Sequence, residues 1–422
     1  MSGAVAVNTH YAIFIILYSL FNIYHKMKFS MKKMTILSAI LALTWSLSAQ
    51  PHYNEMLKAL ETHNPTLLAA QKRSEARQAE ARVGVLLDDP QVEAAYYWGD
   101  PAAIGKRWDL SVSQSFEMPS VLVRRTRLRD LEQQAAQLDY EVLRNKMCYE
   151  TQQVCADLIY YYAVADIFDE RTATAARLAT LYQKRFDAGD CSILEYNRAQ
   201  LYLAKVQKEA ADAVLEAQHI RTTLVTLVGD AAYQFNQRVY DSVVLPSNFD
   251  EWYRDLEMQN PVLRRLDNQA VADQQKATLS RAQWLPSMSV GYASENVVGE
   301  TFRGVTVGLS LPLWSQQRAV RQAVLNNQAS QQELAAQRDK TYADLQCLMH
   351  HLYALRLNLD NLRGAYSRCN SLPLLDKALE AGEISLEEYL LQVDDYVDIQ
   401  LQIWQLARQL EQAHLQFNSI AL

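Results

Sequence analysis

Breakers of regular structure are scarce in this chain. Its 422 residues include only 12 Gly and 10 Pro, and no proline lies between Pro119 and Pro246. Proline removes a backbone donor and clashes with the preceding turn, so a gap of that length permits long unbroken helices. Long apolar runs are missing too. Past residue 50 no stretch reaches the roughly 18–20 apolar residues that a membrane-spanning helix needs. If that part enters a membrane it must do so as a closed barrel, because only helices and barrels satisfy every backbone polar group in lipid.

Cysteine offers no framework. Cys148, Cys155, Cys191, Cys347 and Cys369 are odd in number, and their spacing matches no disulfide or zinc pattern. Cys148 and Cys155 fall on one helix face but roughly 10 Å apart, beyond disulfide reach. Positive charge is also short. The formal net charge is −7, and the four lysines of residues 1–49, with no acid beside them, leave −11 on the remainder. That sign disfavours a nucleic-acid partner. No G-x-S-x-G or H-E-x-x-H motif occurs, and no Ser/His/Asp constellation stands out, so no catalytic residue is expected. Cys347, Met349, His350 and His351 have soft-metal chemistry. A coincidence of helix face accounts for them, and neither metal nor cofactor is expected.

Residues 31–50 read MKKMTILSAILALTWSLSAQ. Two lysines, a short apolar run and small residues at Ser46, Ser48 and Ala49 form a secretory signal pattern over 31–49, with cleavage expected after Ala49, or else after Ser48. Residues 1–30 carry a second apolar run, Tyr11 to Tyr24. Either the start is assigned too early, with Met27 or Met31 the true one, or this run is an anchor. No Cys follows the cleavage site, so the lipid-anchor signal is missing.

What the chain does contain is one unit written twice. Asn64-Pro65 recurs as Asn260-Pro261 and Pro90 as Pro286, both 196 positions on. Pro119 recurs as Pro312, Ala188-Gly189 as Ala381-Gly382, Ser192 as Ser385 and Tyr196 as Tyr389, all 193 positions on. Constant offsets mark a tandem repeat, 50–249 and 250–422, of helix, strand, strand, very long helix, sharp turn and helix. The first helices are expected over 52–88 and 250–283, each with Asn-Pro as a helix-start signal near its beginning.

Strands are expected over 91–98, 108–117, 287–293 and 305–311. In 108–117, Trp108, Leu110, Val112 and Phe116 alternate with Asp109, Ser111, Ser113 and Ser115. In 305–311, Val305, Val307, Leu309 and Leu311 alternate with Thr306, Gly308 and Ser310. A period of two makes one apolar and one polar face. Four strands cannot close a barrel, but three chains would supply twelve, with lipid outside and water within. Trp98, Trp108, Trp284 and Trp314 lie at or near strand ends, where interfacial aromatics belong.

After Pro119 and Pro312 a long helix is expected to run to Gly189 and Gly382, with a kink in the second at Gly364 and Pro373. The return helices carry a 3,4,3,4 apolar seam from Tyr196 to Leu227, matched from Tyr389 to Ile420 with only Gln392 polar. That 3.5-residue period is a coiled-coil seam. A second apolar stripe (Leu201, Val214, Leu215, Val397, Leu401, Trp404) implies more than one neighbour per helix, as in a tube wall. At the hairpin tips, 186–192 and 379–385, glycine ends one helix. Ser192 with Glu195, and Ser385 with Glu388, form capping boxes for the next.

The tandem module, the Ala-Gly-x-x-Ser tips and the strand-to-helix prolines resemble TolC-type outer-membrane efflux channels over roughly 52–422. The resemblance implies a mainly α fold with a β-barrel contribution. Three chains would form a 12-stranded outer-membrane barrel continuous with a 12-helix periplasmic coiled-coil tunnel. It implies no enzyme but a passive exit duct, working with a periplasmic adaptor and an inner-membrane pump, among which the resistance-nodulation-division type is one candidate. Ala188, Gly189, Ser192, Ala381, Gly382 and Ser385 would meet the adaptor. Glu388 would be a periplasmic gate residue, with Glu195 in the matching place. The family's second gate acid falls on Leu391, so that half of the gate is missing. Gln114 to Pro119, followed by Arg124, Arg125 and Arg127, resembles the branch serving heavy-metal pumps. The competing expectation is a soluble periplasmic coiled-coil scaffold or adaptor, although no Gly-rich lipoyl-like segment is present.

Overall fold

Asparagine followed by proline sets the first corner of each half. The computed structural model describes residues 53–421 apart from 84–87, 299, 313–315 and 370–371. The signal segment 31–49, the extension 1–30 and Trp314 lie outside the described residues. Met56–Leu422 pack as one unit. Its first half runs α1 (Asn54–His63), α2 (Pro65–Val83), β1 (Gln91–Trp98), β2 (Lys106–Phe116), α3 (Pro119–Asp187) and α4 (Ile193–Val228). The second half runs α5 (Phe249–Glu257), α6 (Pro261–Ala282), β3 (Ser287–Val297), β4 (Glu300–Ser310), α7 (Gln316–Cys369), α8 (Leu372–Ala381) and α9 (Leu386–Ala421).

The single helices expected over 52–88 and 250–283 are each two helices, divided at Asn-Pro. Proline disfavours a helical conformation in the residue before it. The asparagine then caps the second helix, Asn64 Oδ1 accepting from Leu67 N–H and Asn260 Oδ1 from Leu263 N–H, both at 2.9 Å. Each side chain also reaches a distant helix end. Asn64 Nδ2 donates to the Leu227 carbonyl at 2.5 Å, and Asn260 Nδ2 donates to the Ile420 carbonyl. One buried amide thereby satisfies an orphan donor of one helix and an orphan acceptor of another. Gly229 completes the first corner. Its φ is +78°, and a Cβ there would lie 2.7 Å from the His63 carbonyl oxygen.

The α3 helix has 69 residues, about 100 Å at 1.5 Å per residue. It pairs with α4 in the first hairpin, and α7, α8 and α9 form the second. Every seam position from Tyr196 to Leu227 and from Tyr389 to Ile420 is buried or half-buried, Gln392 included. The second stripe divides between the halves. On α4, Leu201 and Leu215 are exposed, whereas on α9 Val397 is buried and Leu401 and Trp404 are half-buried. Of the two positions expected to kink the ascending arm of the second hairpin, Gly364 lies inside α7, while residues 370–371, between α7 and α8, lie outside the described residues. Pro373 is the second residue of α8, in the first turn where its missing N–H costs nothing.

All four strands form one antiparallel sheet in the order β1-β2-β3-β4. β1 has the expected bounds; β2 starts at Lys106 and ends at Phe116. β3 and β4 extend to Val297 and back to Glu300, well past the expected 287–293 and 305–311. The alternation fades there because polar residues enter both faces, while the backbone ladder continues. The middle pairing, β2 with β3, joins the two halves with no hairpin between them.

Replacing Asn64 or Asn260 with Ala removes a cap and strands a carbonyl, and should cost about 1–3 kcal/mol. Asn64→Asp keeps the cap oxygen but not the donor, and should cost less. Thermal unfolding of the three variants checks this, and equal melting of Asn64→Ala and wild type would refute the shared-cap reading.

Candidate functional site

The two hairpin tips are built alike from backbone outward. At the end of α3, Asp190 N–H bonds the Arg185 carbonyl (2.8 Å) and Gly189 N–H the Phe186 carbonyl (3.0 Å). At the end of α8, Glu383 N–H bonds the Ala378 carbonyl (2.9 Å) and Gly382 N–H the Leu379 carbonyl (3.1 Å). These pairs are Schellman motifs, which need a left-handed residue. Gly189 and Gly382 supply it with φ of 76° and 73°. Ala188, Gly189, Ser192, Ala381, Gly382 and Ser385 are all exposed.

The carboxylates of the two tips differ in employment. At the first tip the capping box is complete. Glu195 N–H donates to Ser192 Oγ (3.2 Å), and Ser192 N–H (2.8 Å) and Oγ (2.9 Å) donate to Glu195 Oε2. Those bonds from the Ser192 backbone and hydroxyl hold the Glu195 carboxyl below its usual range. At the second tip Glu388 N–H donates to Ser385 Oγ (3.2 Å), but among the described residues its carboxylate has no partner. Glu388 is exposed. Glu195 is thus committed to the fold, while Glu388 is available to solvent.

Between the starts of α4 and α9 lies an open cleft of about 990 Å³, lined by Leu194, Glu195, Leu201, Ser385 and Leu391 among others. It brings Glu195 and Ser385 to one place, and Leu201 is 72% exposed there. Two ion pairs cross it, Arg198–Glu387 (2.9 Å) and Lys205–Asp394 (3.2 Å).

Beneath the cleft is a feature that the sequence reading missed. Arg171, in the tip-ward third of α3, is 8% exposed. It bonds Glu209 Oε2 (3.0 Å), the Tyr202 hydroxyl (3.1 Å) and Asp394 Oδ1, and the Tyr202 hydroxyl donates to Asp394 Oδ1 (3.2 Å). Burial alone would disfavour the guanidinium charge. The Tyr202 bond and the two carboxylates outweigh it, so the pKa of Arg171 is raised. This cluster links the first hairpin to the second. Its signal was a lone arginine in an otherwise apolar series, Val164, Ile167, Ala175, Leu178, Tyr182, all buried.

At the other end of the helices, the sheet has two unlike faces. Paired rows place Val92, Val112, Tyr292 and Val305 on one face, with Phe116, Met288 and Leu309 further along it. All seven are exposed, Val305 by 74%. The opposite face carries Ser111, Ser113, Ser115, Ser289, Gly291, Ala293, Thr306 and Gly308, with Tyr97 and Phe302 as large exceptions. The outer edges of β1 and β4 have no partner strand among the described residues. Among those residues no helix is long and apolar enough to cross a membrane, and no three metal-ligating side chains converge. Cys347, His350 and His351 lie exposed along α7.

No protein-family model and no curated protein matches the sequence. The chain does have the fold of TolC-type outer-membrane efflux channels. CusC, crystallised in a study of folding and transmembrane channel formation, superposes with a TM-score of 0.74 at 14% identity, covering 88% of this chain and 92% of that one. The Campylobacter jejuni CmeC outer-membrane channel gives 0.72 at 16% identity, over 88% and 85%. The open-state Neisseria gonorrhoeae MtrE outer-membrane channel gives 0.65 at 14% identity, over 88% and 89%.

The Glu195 cap should depend on pH. Its folded pKa lies below its unfolded value, about 4.3, so its stabilisation is present above that value and disappears as pH falls through the folded pKa. Amide exchange at residues 193–195 should therefore accelerate in acid in the wild type. Ser192→Ala should show faster exchange at neutral pH, a loss of about 1 kcal/mol, and Glu195→Gln should flatten the acid dependence. Acid-insensitive exchange in the wild type would contradict the assignment.

Proposed function

We propose that this chain is the outer-membrane duct of a tripartite export system, exported by the segment 31–49 and assembled as a homotrimer. The observation that carries this reading is the two-faced sheet. A soluble protein rarely exposes a contiguous apolar surface of this size, and a periplasmic scaffold has no use for one. Three copies of the tandem module contribute four strands each, and the open edges of β1 and β4 seal one chain to the next into a twelve-stranded barrel. The apolar face meets lipid, and the serine- and glycine-rich face lines the water path. Below the membrane the two hairpins of each chain form the wall of a twelve-helix tunnel.

The duct is passive and needs no catalytic group. Its energy comes from an inner-membrane pump through a periplasmic adaptor, which docks on the tips at Ala188, Gly189, Ser192, Ala381, Gly382 and Ser385. The resemblance of Gln114 to Pro119, with Arg124, Arg125 and Arg127, to the heavy-metal branch favours a pump of the resistance-nodulation-division type. Three Glu388 carboxylates converge at the tunnel mouth, where like charges in a narrow pore attract cations. Glu195 occupies the matching place, but its carboxylate is bound in a cap. The Arg171–Asp394 cluster holds the two hairpins of a chain together and restrains that mouth. Truncating one partner of a buried ion pair leaves the other uncompensated, at about 3–5 kcal/mol.

The purified mature chain should require detergent, cross-link as a trimer and give discrete conductance steps in planar bilayers. A monomer stable in detergent-free buffer would eliminate the duct. Within the same recordings, Asp394→Ala should raise conductance by loosening the mouth. Glu388→Ala should weaken cation preference, read as a shifted reversal potential under a salt gradient. An unshifted reversal potential would leave Glu388 outside the gate.

A further inference from the structure

The strand residues sort their charges by face. Register places Glu93, Asp109, Glu295 and Glu300 on the serine- and glycine-rich side. Arg107 is there too, paired with Asp109 (2.8 Å) and Glu295 (3.1 Å). The two remaining strand cations, Lys106 and Arg303, lie on the apolar side, with no acid. Both are exposed, and neither has an acidic partner among the described residues. That face, which also holds the uncharged polar residues Gln114, Ser294, Asn296 and Thr301, therefore carries charge of one sign only.

Their height on the sheet is as informative as their sign. Lys106 pairs across the ladder with Trp98, and the next row on that face pairs Tyr96 with Trp108. All three aromatics are exposed. Arg303 pairs with Ser294, which pairs in turn with Leu110, one row further in. From Phe116 to Lys106 the strand is roughly 33 Å long at 3.3 Å per residue, which at a barrel tilt of about 40° spans about 25 Å, the height of an outer-membrane apolar band. Aromatic rings at that depth mark the level of the headgroups. Long basic side chains there lay their stems along apolar surface and extend their charge into the polar layer.

We infer that Lys106 and Arg303 bind the anionic phosphate of lipid headgroups in the leaflet nearest the β1–β2 and β3–β4 loops. This rests on the barrel reading above and adds to it a headgroup preference located at two residues. The two cations stand two strands and four residues of register apart, about 16 Å, with Arg303 the deeper of the two, so adjacent chains of the barrel would repeat the staggered pair around its rim. Their positive face and the acidic inner face keep the headgroup phosphates outside and leave the water path negative.

The test uses the full mature chain in neutral detergent micelles doped with acyl-brominated phosphatidylglycerol or acyl-brominated phosphatidylcholine. Bromine quenches nearby tryptophan, so quenching reports lipid at Trp98 and Trp108. Wild type should prefer phosphatidylglycerol, and added salt should erode the preference. Each cation near an anionic surface is worth roughly fivefold in affinity, so Lys106→Gln with Arg303→Gln should lose roughly thirtyfold of it. The charge-preserving pair Lys106→Arg with Arg303→Lys should keep the preference, which separates lost charge from lost folding. Equal quenching by both lipids in wild type, or an unchanged preference in the glutamine variant, overturns the inference while leaving the barrel intact. A wild-type chain quenched by neither lipid overturns the inference and the barrel reading together.

Discussion

An open strand edge in lipid is untenable, because each unpaired backbone N–H and C=O there goes unsatisfied. Among the described residues this chain has four strands, with one edge of β1 and one of β4 unpaired, and an exposed apolar face. The four strands can neither cover that face nor curl far enough to meet. In the proposed trimer, closure by further copies would satisfy both edges at once and give the apolar face lipid as its solvent. The helices would inherit the consequence there, each chain entering the tunnel at a position set by its strands, through Met118-Pro119 in the first half and Leu311-Pro312 in the second.

Long helices bring their own difficulty. A hairpin with arms of this length packs mainly along a seam, and its ends must be closed locally. At each end the chain combines a small apolar cluster with polar side chains that close the backbone. At the corners nearest the sheet, Asn64 and Asn260 each tie the start of one helix to the end of another. At the tips, Schellman turns and serine caps close the backbone with no side chain beyond glycine at the apex. In the proposed assembly these closed tips would be the surface that meets the adaptor.

The two hairpins are equivalent in plan and unequal in chemistry. Leu194 and Leu201 on α4 occupy the places that Glu387 and Asp394 hold on α9, 193 positions on. That exchange lets Arg198 and Lys205 reach across the cleft to acids instead of leucines. It also lets Arg171 find Asp394 from a different hairpin. In the proposed trimer, the second hairpin would be held by the first through charge, a contact of fixed geometry that can be broken whole. A purely apolar seam would slide.

Periodicity, caps and offsets were legible in the chain because each is a local property, read within a turn of helix or a pair of strand residues. The tandem unit, the seam from Tyr196, the alternation in 108–117 and the serine-capped tips all belong to that class. Strand ends near Val297 and Glu300 were not legible, since a backbone ladder continues where side-chain alternation has faded. The division of 52–88 at Asn64 was half legible. Asn-Pro marked a helix start, but only the fold revealed a helix before it and the distant carbonyl its amide would find. Tertiary structure alone decided two things. One was the pairing of β2 with β3, which sorts every strand acid onto a single face. The other was the meeting of Arg171 with Asp394, 223 residues apart. Nothing within a few residues of either partner encodes such pairings, because what selects them is the simultaneous packing of elements from both halves.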